Sequence, residues 1–219
     1  MKLSVLIPVY NEAASVVQVI ERVKAVPVDK EIIVVDDGST DRTGEVLRTI
    51  PGVVVISHPV NQGKGAAIRT ALAHATGDIA VIQDADLEYD PNDYPALIAP
   101  FADPTVDAVY GSRFRGHGTF LLSSRLANRF LTFLTNLLFG GRITDMETGY
   151  KLLRRSLFQR LALRAQRFEV EPEITAKLLR SRARIVEVPI TYRGRRAGKK
   201  IGPKDGLWAC YYLFKWYVS

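Results

Sequence analysis

The chain has 219 residues, 47% of them apolar and 24% charged, a globular composition that excludes a disordered or collagen-like protein. Its single cysteine, Cys210, rules out an internal disulfide and a cysteine-built metal site, so no oxidising compartment is required. The net charge of +7 is unevenly spread: residues 1–150 carry 13 basic against 18 acidic side chains, and residues 151–219 carry 17 against 5. The first part gathers carboxylates. The second offers a surface for a polyanion, whether nucleic acid, an anionic membrane or a phosphorylated ligand. The N-terminal MKLSVLIPVYNE lacks the long apolar region and small-residue cleavage site of a secretory leader. No apolar stretch reaches the roughly 18–20 residues that span a bilayer, so the expected location is cytoplasmic.

Short apolar runs alternate with helical patterns from the start. Residues 3–9 read as a strand, Asn11 as an N-cap, and residues 12–25 as a helix. The unbroken apolar run in EIIVVD at 31–36 suits a parallel strand buried on both faces. A helix near 41–50, a strand at 53–57, a helix over 64–75, a strand at 79–83, a helix near 93–102 and a strand at 108–111 continue the pattern. Such alternation predicts βαβ units and an α/β fold with a mostly parallel sheet. Residues 120–139, rich in Phe and Leu, read as an amphipathic helix. Helices at 156–163 and 172–182, a strand at 185–192 and a terminal helix from about residue 205 complete one compact unit. Two Trp and three Tyr stand beside lysine in the terminal segment, as in a membrane interface.

Ligands of open α/β sheets bind beyond the carboxyl ends of the strands. Two acidic clusters fall there: Asp36-Asp37-Gly38-Ser39-Thr40-Asp41 after the second strand, and Asp84-Ala85-Asp86, with Glu88 and Asp90, after the strand at 79–83. Crowded carboxylates repel unless a cation or hydrogen-bond donors intervene. An Asp-x-Asp turn projects two hard oxygen ligands, which suits Mg²⁺ or Mn²⁺ completed by substrate phosphates. Asn61-Gln62-Gly63-Lys64-Gly65 fails the Walker pattern, yet Lys64 at a helix N-terminus can approach a diphosphate. No G-x-G-x-x-G follows the first strand, which disfavours a dinucleotide-dependent dehydrogenase.

LIPVYNE at 6–12, EIIVVDDGSTD at 31–41, NQGKGAAIRTAL at 61–72 and DAD at 84–86 together resemble the family 2 glycosyltransferases of GT-A fold. GSRF at 111–114, TDMETGYKLLRR at 144–155, FEVEPEI at 168–174 and VPITYRGRRAGKKIG at 188–202 extend the resemblance to the polyprenyl-phosphate sugar synthases, the subgroup of dolichyl-phosphate mannose synthase. The resemblance implies one GT-A domain, with a nucleotide-sugar-binding half at 1–112 and an acceptor-binding half at 113–219. That second half holds interfacial helices near 120–139 and 205–218. It further implies that Pro8, Tyr10, Glu12 and Asp37 line a nucleotide pocket, that Lys64 and Ala85 adjoin it, and that Asp84 and Asp86 meet the diphosphate through Mg²⁺ or Mn²⁺, with Glu88 as a further ligand. Arg113, Ser124 and Arg125 are expected at the acceptor phosphate, with Arg129 competing for that role. Arg195, Lys199 and Lys200 belong to a basic loop over donor and acceptor, with Glu171 and Glu173 as its supports.

The implied reaction moves mannose or glucose, from GDP-mannose or UDP-glucose, to a dolichyl or undecaprenyl phosphate with inversion, using Asp86, Arg113 and Arg125. The expected partners include an anionic membrane surface on the cytoplasmic face, and no nucleic acid. A hydroxyl acceptor is the alternative. It needs a general base, for which Asp145 and Glu147 are available.

Overall fold

The computed structural model describes residues 1–119, 121–194 and 203–218, with the backbone alone at 203–205. In chain order they form β1 (Leu3–Val9), α1 (Val16–Ala25), β2 (Lys30–Asp36), α2 (Thr43–Leu47), β3 (Val54–Ser57), α3 (Lys64–His74), β4 (Ile79–Ile82) and α4 (Tyr94–Ile98). Then follow β5 (Ala108–Thr119), α5 (Leu122–Phe139), β6 (Lys151–Arg154), α6 (Arg155–Arg160), α7 (Val170–Arg180), β7 (Ile185–Arg193) and α8 (Pro203–Val218). One seven-stranded sheet has the order β3-β2-β1-β4-β6-β5-β7. The β1–β4 strands are mutually parallel, β6 runs antiparallel to both its neighbours, and β5 pairs with β7 in parallel.

The period-2 geometry of a strand splits its side chains between two cores. In β1, Leu3, Val5, Ile7 and Val9 join Val16, Ile20 and Val23 of α1 on one face. Leu6 joins Ala67, Ile68 and Ala71 of α3 on the other, where Ile174 of α7 and Leu213 of α8 also pack. Both faces being covered explains the continuous apolar runs. The strand order reverses between β1 and β4, so a crevice opens beyond their carboxyl ends.

Several local expectations are corrected. Asn11 does not cap a helix at 12–25. It sits at φ 52, in the left-handed region that Asn tolerates, and its Oδ1 accepts hydrogen bonds from the Thr40 and Asp41 amides at 2.8 and 3.3 Å. The helix starts at Val16. The helix expected near 93–102 is reduced to α4 between two 3₁₀ turns, Pro91–Asp93 and Ala99–Ala102, because Pro100 has no N–H to continue it. The strand at 108–111 runs on to Thr119, and β6 is an additional strand.

Two buried tyrosines fix the end of β4. The hydroxyls of Tyr94 and Tyr150 both donate to Oε1 of Gln83, at 2.6 and 2.7 Å, and the Gln83 amide donates to the Asp84 carbonyl. The Asp84–Glu88 turn is thereby anchored to the core. Beyond β2, Gly38 has φ 68, and a Cβ there would lie 2.4 Å from the Val60 carbonyl carbon. Gly38→Ala should therefore lower stability by at least ~1 kcal/mol. An unchanged urea midpoint would show that the loop accommodates the methyl group.

Candidate active site

A cleft of about 510 Å³ lies at the carboxyl ends of β1, β2 and β4. Pro8, Tyr10, Glu12, Asp37, Lys64, Asp84, Ala85, Asp86, Glu88, Arg113 and Ser124 all line it, so residues from six separate segments of the chain meet in one place. Arg195, Lys199 and Lys200 lie outside the described residues.

The acidic residues are each handled differently. Asp37 commits both oxygens to the chain: Oδ1 accepts from the Gln62 amide at 2.9 Å and faces His58 Nδ1 at 2.7 Å, and Oδ2 accepts from the Gly63 amide at 2.7 Å. It buckles the loops after β2 and β3 onto the start of α3. Asp84 lies 2.7 Å from Lys64 Nζ, which also reaches Glu171 Oε1 at 3.0 Å; the second Glu171 oxygen pairs with Lys151. Burial alone would push the Lys64 ammonium down, but Asp84 and Glu171 outweigh it and hold Lys64 above the ordinary lysine value. Burial would likewise raise Glu171, yet Lys151 and Lys64 hold it low.

Asp86 accepts the Glu88 amide at 3.2 Å, and the chain turns through Leu87 at φ 64. Glu88 Oε2 accepts the Tyr192 hydroxyl at 2.6 Å. No group of three or more His, Cys, Asp or Glu side chains is drawn together as a ready-made cation site among the described residues. The donor set still fits Mg²⁺ or Mn²⁺. These hard cations take one or two carboxylates, here Asp84 and Asp86, and complete their shell with phosphate oxygens and water.

Arg113, buried on β5, makes a two-pronged pair with Asp145: Nε to Oδ2 and Nη2 to Oδ1, both 2.8 Å. Its guanidinium also stands over the Tyr192 ring at 5.1 Å. Ser124 and Asn128, one helical turn apart on α5, face the cleft. Arg125 of α5 is exposed and is not among the residues that line the cleft. Arg129 lies over the Phe114 ring at 5.7 Å.

The support expected from Glu171 and Glu173 takes another form among the described residues. Glu171 serves Lys64 and Lys151, while Glu173 accepts the Arg164 and Ala165 amides. Asn61, Phe168 and Tyr192, which stand in the quoted motifs without an assigned role, and Asn128 and Arg167, which carry no local signal, also enter the lining. Gly149 lies in close approach to the site, since a Cβ there would lie 2.5 Å from Asp84 Oδ2 and displace that side chain.

Glu147 also lines the cleft, and its buried Oε1 has no hydrogen-bond partner among the described residues. Burial, with Glu171 and Asp145 adding to it against Lys151 and Arg113, pushes its carboxyl up to about 7. A carboxyl raised on folding contributes stability that is fully present below the ordinary value of 4.5 and lost as pH rises through about 7. Wild-type protein should lose up to about 3 kcal/mol relative to Glu147→Gln across that window. Parallel urea midpoints for the two proteins over the same range would contradict this.

The family described as "Glycosyl transferase family 2" matches residues 4–162. The UDP-N-acetylglucosamine–dolichyl-phosphate N-acetylglucosaminyltransferase of Methanococcus voltae is 32% identical over 209 residues, covering 84% of this chain and 83% of the relative. The dodecaprenyl-phosphate galacturonate synthase of Rhizobium johnstonii is 30% identical over 210 residues, 90% of this chain but 61% of the relative's length. Among solved structures, glucosyl-3-phosphoglycerate synthase from Mycobacterium tuberculosis, in complex with Mn²⁺, UDP-glucose and phosphoglyceric acid, superimposes with a TM-score of 0.76. It is 26% identical, over 99% of this chain and 80% of that one.

Proposed function

This chain belongs to glycosyl transferase family 2 and has its GT-A fold, and from that premise we propose that it transfers a hexose from a nucleotide sugar to a polyprenyl phosphate, with inversion and with Mg²⁺ or Mn²⁺. UDP-glucose and GDP-mannose are the proposed donors. Proteins similar to it act on dolichyl and dodecaprenyl phosphates by name, and a structural neighbour binds Mn²⁺ with UDP-glucose. The bound cation would supply neutralisation of the charge that develops on the departing nucleoside diphosphate. Asp84 and Asp86 would hold it, while Pro8, Tyr10 and Glu12 would border the nucleotide.

One observation carries the lipid acceptor. Ser124 and Asn128 put one face of α5 in the cleft, while Leu122, Leu126, Phe130, Phe133 and Leu137, spaced at three and four residues, stand 57–73% exposed on another. Leu207, Trp208, Tyr211, Phe214 and Tyr217 of α8, which packs on α5, are exposed as well. An apolar strip of this extent beside a polar cleft suits an isoprenoid tail and the membrane that holds it. No helix among the described residues is long and apolar enough to cross a membrane, so the proposed mode is peripheral docking on the cytoplasmic face.

The chemistry is economical. A lipid phosphate has its second pKa near ~6, so its nucleophilic oxygen is largely ionised at neutral pH and needs no general base. It attacks the anomeric carbon as the bond to the diphosphate oxygen breaks. What the protein must do is hold two anions together, which is the task proposed for Arg113, Ser124 and the basic loop with Arg195, Lys199 and Lys200. Glu147, with its unpartnered oxygen, gives the hydroxyl-acceptor reading its one favouring observation.

Incubation with a panel of nucleotide sugars, Mn²⁺ and either a short polyprenyl phosphate or hydroxyl acceptors, followed by mass identification, decides between them. A glycosyl phospholipid is expected; a product formed only on hydroxyl acceptors would overturn the reading. Asp86→Ala should lower transfer by at least ~100-fold, and activity preserved in EDTA would remove the metal. Phe130→Asp with Phe133→Asp should release the protein from anionic liposomes, whereas equal partitioning would make the strip irrelevant to docking.

A further inference from the structure

Lys64 lies at the first residue of α3, yet its ammonium points to carboxylates: Asp84 Oδ1 at 2.7 Å and Glu171 Oε1 at 3.0 Å. Glu171 is itself tied to Lys151, whose side chain is fully buried and also donates to the Thr148 carbonyl. The chain Asp84–Lys64–Glu171–Lys151 thus joins the end of β4 to α3, α7 and β6. Its inner end is sequestered, and its outer end, Asp84, faces the cleft. A divalent cation and an ammonium compete for the same carboxylate oxygen and repel one another at contact distance. Glu171 keeps Lys64 within reach but gives it only one anion. To leave Asp84, Lys64 needs a replacement, and the diphosphate of the donor is the anion that would enter beside it.

We propose that Lys64 is a resident counter-cation, which occupies Asp84 in the nucleotide-free cleft and moves to the diphosphate on donor binding, so that divalent cation and nucleotide bind interdependently. This rests on the metal-assisted reading above and assigns to Lys64 a positioning role that precedes any chemistry. The device spares the empty cleft an uncompensated carboxylate. It also withholds the cation site from metal that arrives without substrate.

Binding of Mn²⁺ to the full chain, followed by electron paramagnetic resonance with and without UDP, tests it. In wild-type protein UDP should tighten Mn²⁺ binding by at least ~10-fold, within the range of ordinary ligand coupling. In Lys64→Met, Mn²⁺ alone should bind at least ~10-fold more tightly than to wild type, and the effect of UDP should shrink accordingly. Arg167→Met removes one positive charge from the same cleft without touching Asp84. It should shift Mn²⁺ binding by less than ~3-fold, the part due to the general field. A Lys64→Met shift no larger than that of Arg167→Met overturns the proposal. If that variant does not fold, the wild-type measurement stands alone: Mn²⁺ bound equally well with and without UDP overturns the proposal while leaving the metal-assisted reading intact. Absence of Mn²⁺ binding even with UDP overturns both.

Discussion

The ion pair between Lys64 and Asp84 is the contact on which this cleft depends. A parallel sheet delivers its strand ends to one crevice, and here they carry Asp36, Asp37, Asp84, Asp86 and Glu88. Left alone, that charge would oppose folding. The protein disposes of it with specific donors: backbone amides and His58 for Asp37, a tyrosine for Glu88, and a tethered ammonium for Asp84. Of these donors, the ammonium is the one that the proposed divalent cation would replace.

The second half of the chain supplies the opposite charge and the apolar surface. Arg113 is fixed by Asp145, so its orientation would cost little if it meets the proposed acceptor phosphate. α5 combines two environments on one cylinder, a polar edge at Ser124 and Asn128 and an apolar strip from Leu122 to Leu137. A phosphate with a long hydrocarbon tail is a molecule with the same division. Under the proposed function, that match would tie membrane docking and substrate delivery to a single helix.

Much of this was legible in the sequence where a local pattern carried it. The strands β1, β2 and β4 announce themselves by apolar runs buried on both faces, and the acids stand where such strands end. Local pattern fails where distant contacts decide. The two apolar residues Leu152 and Leu153 are too few to signal β6, which exists because β4 and β5 flank it. The choice of Ser124 and Asn128 over Arg125 is a matter of helical phase, and a helix apolar on several faces leaves that phase open. The Lys64–Glu171 contact joins residues 107 apart, and nothing near either one foretells it. Asn11 shows the converse: a good capping residue instead accepts the Thr40 and Asp41 amides from a distant loop.

The central claim is that the cleft is built for two anions at once. Calorimetric titration of a short-chain polyprenyl phosphate and of the matching polyprenol into protein already holding UDP and Mn²⁺ tests it most directly. The phosphate should bind at least ~10-fold more tightly than the alcohol, as charge-assisted contacts require. Equal affinity for the two would mean that the cleft recognises only the tail, and the account would fail.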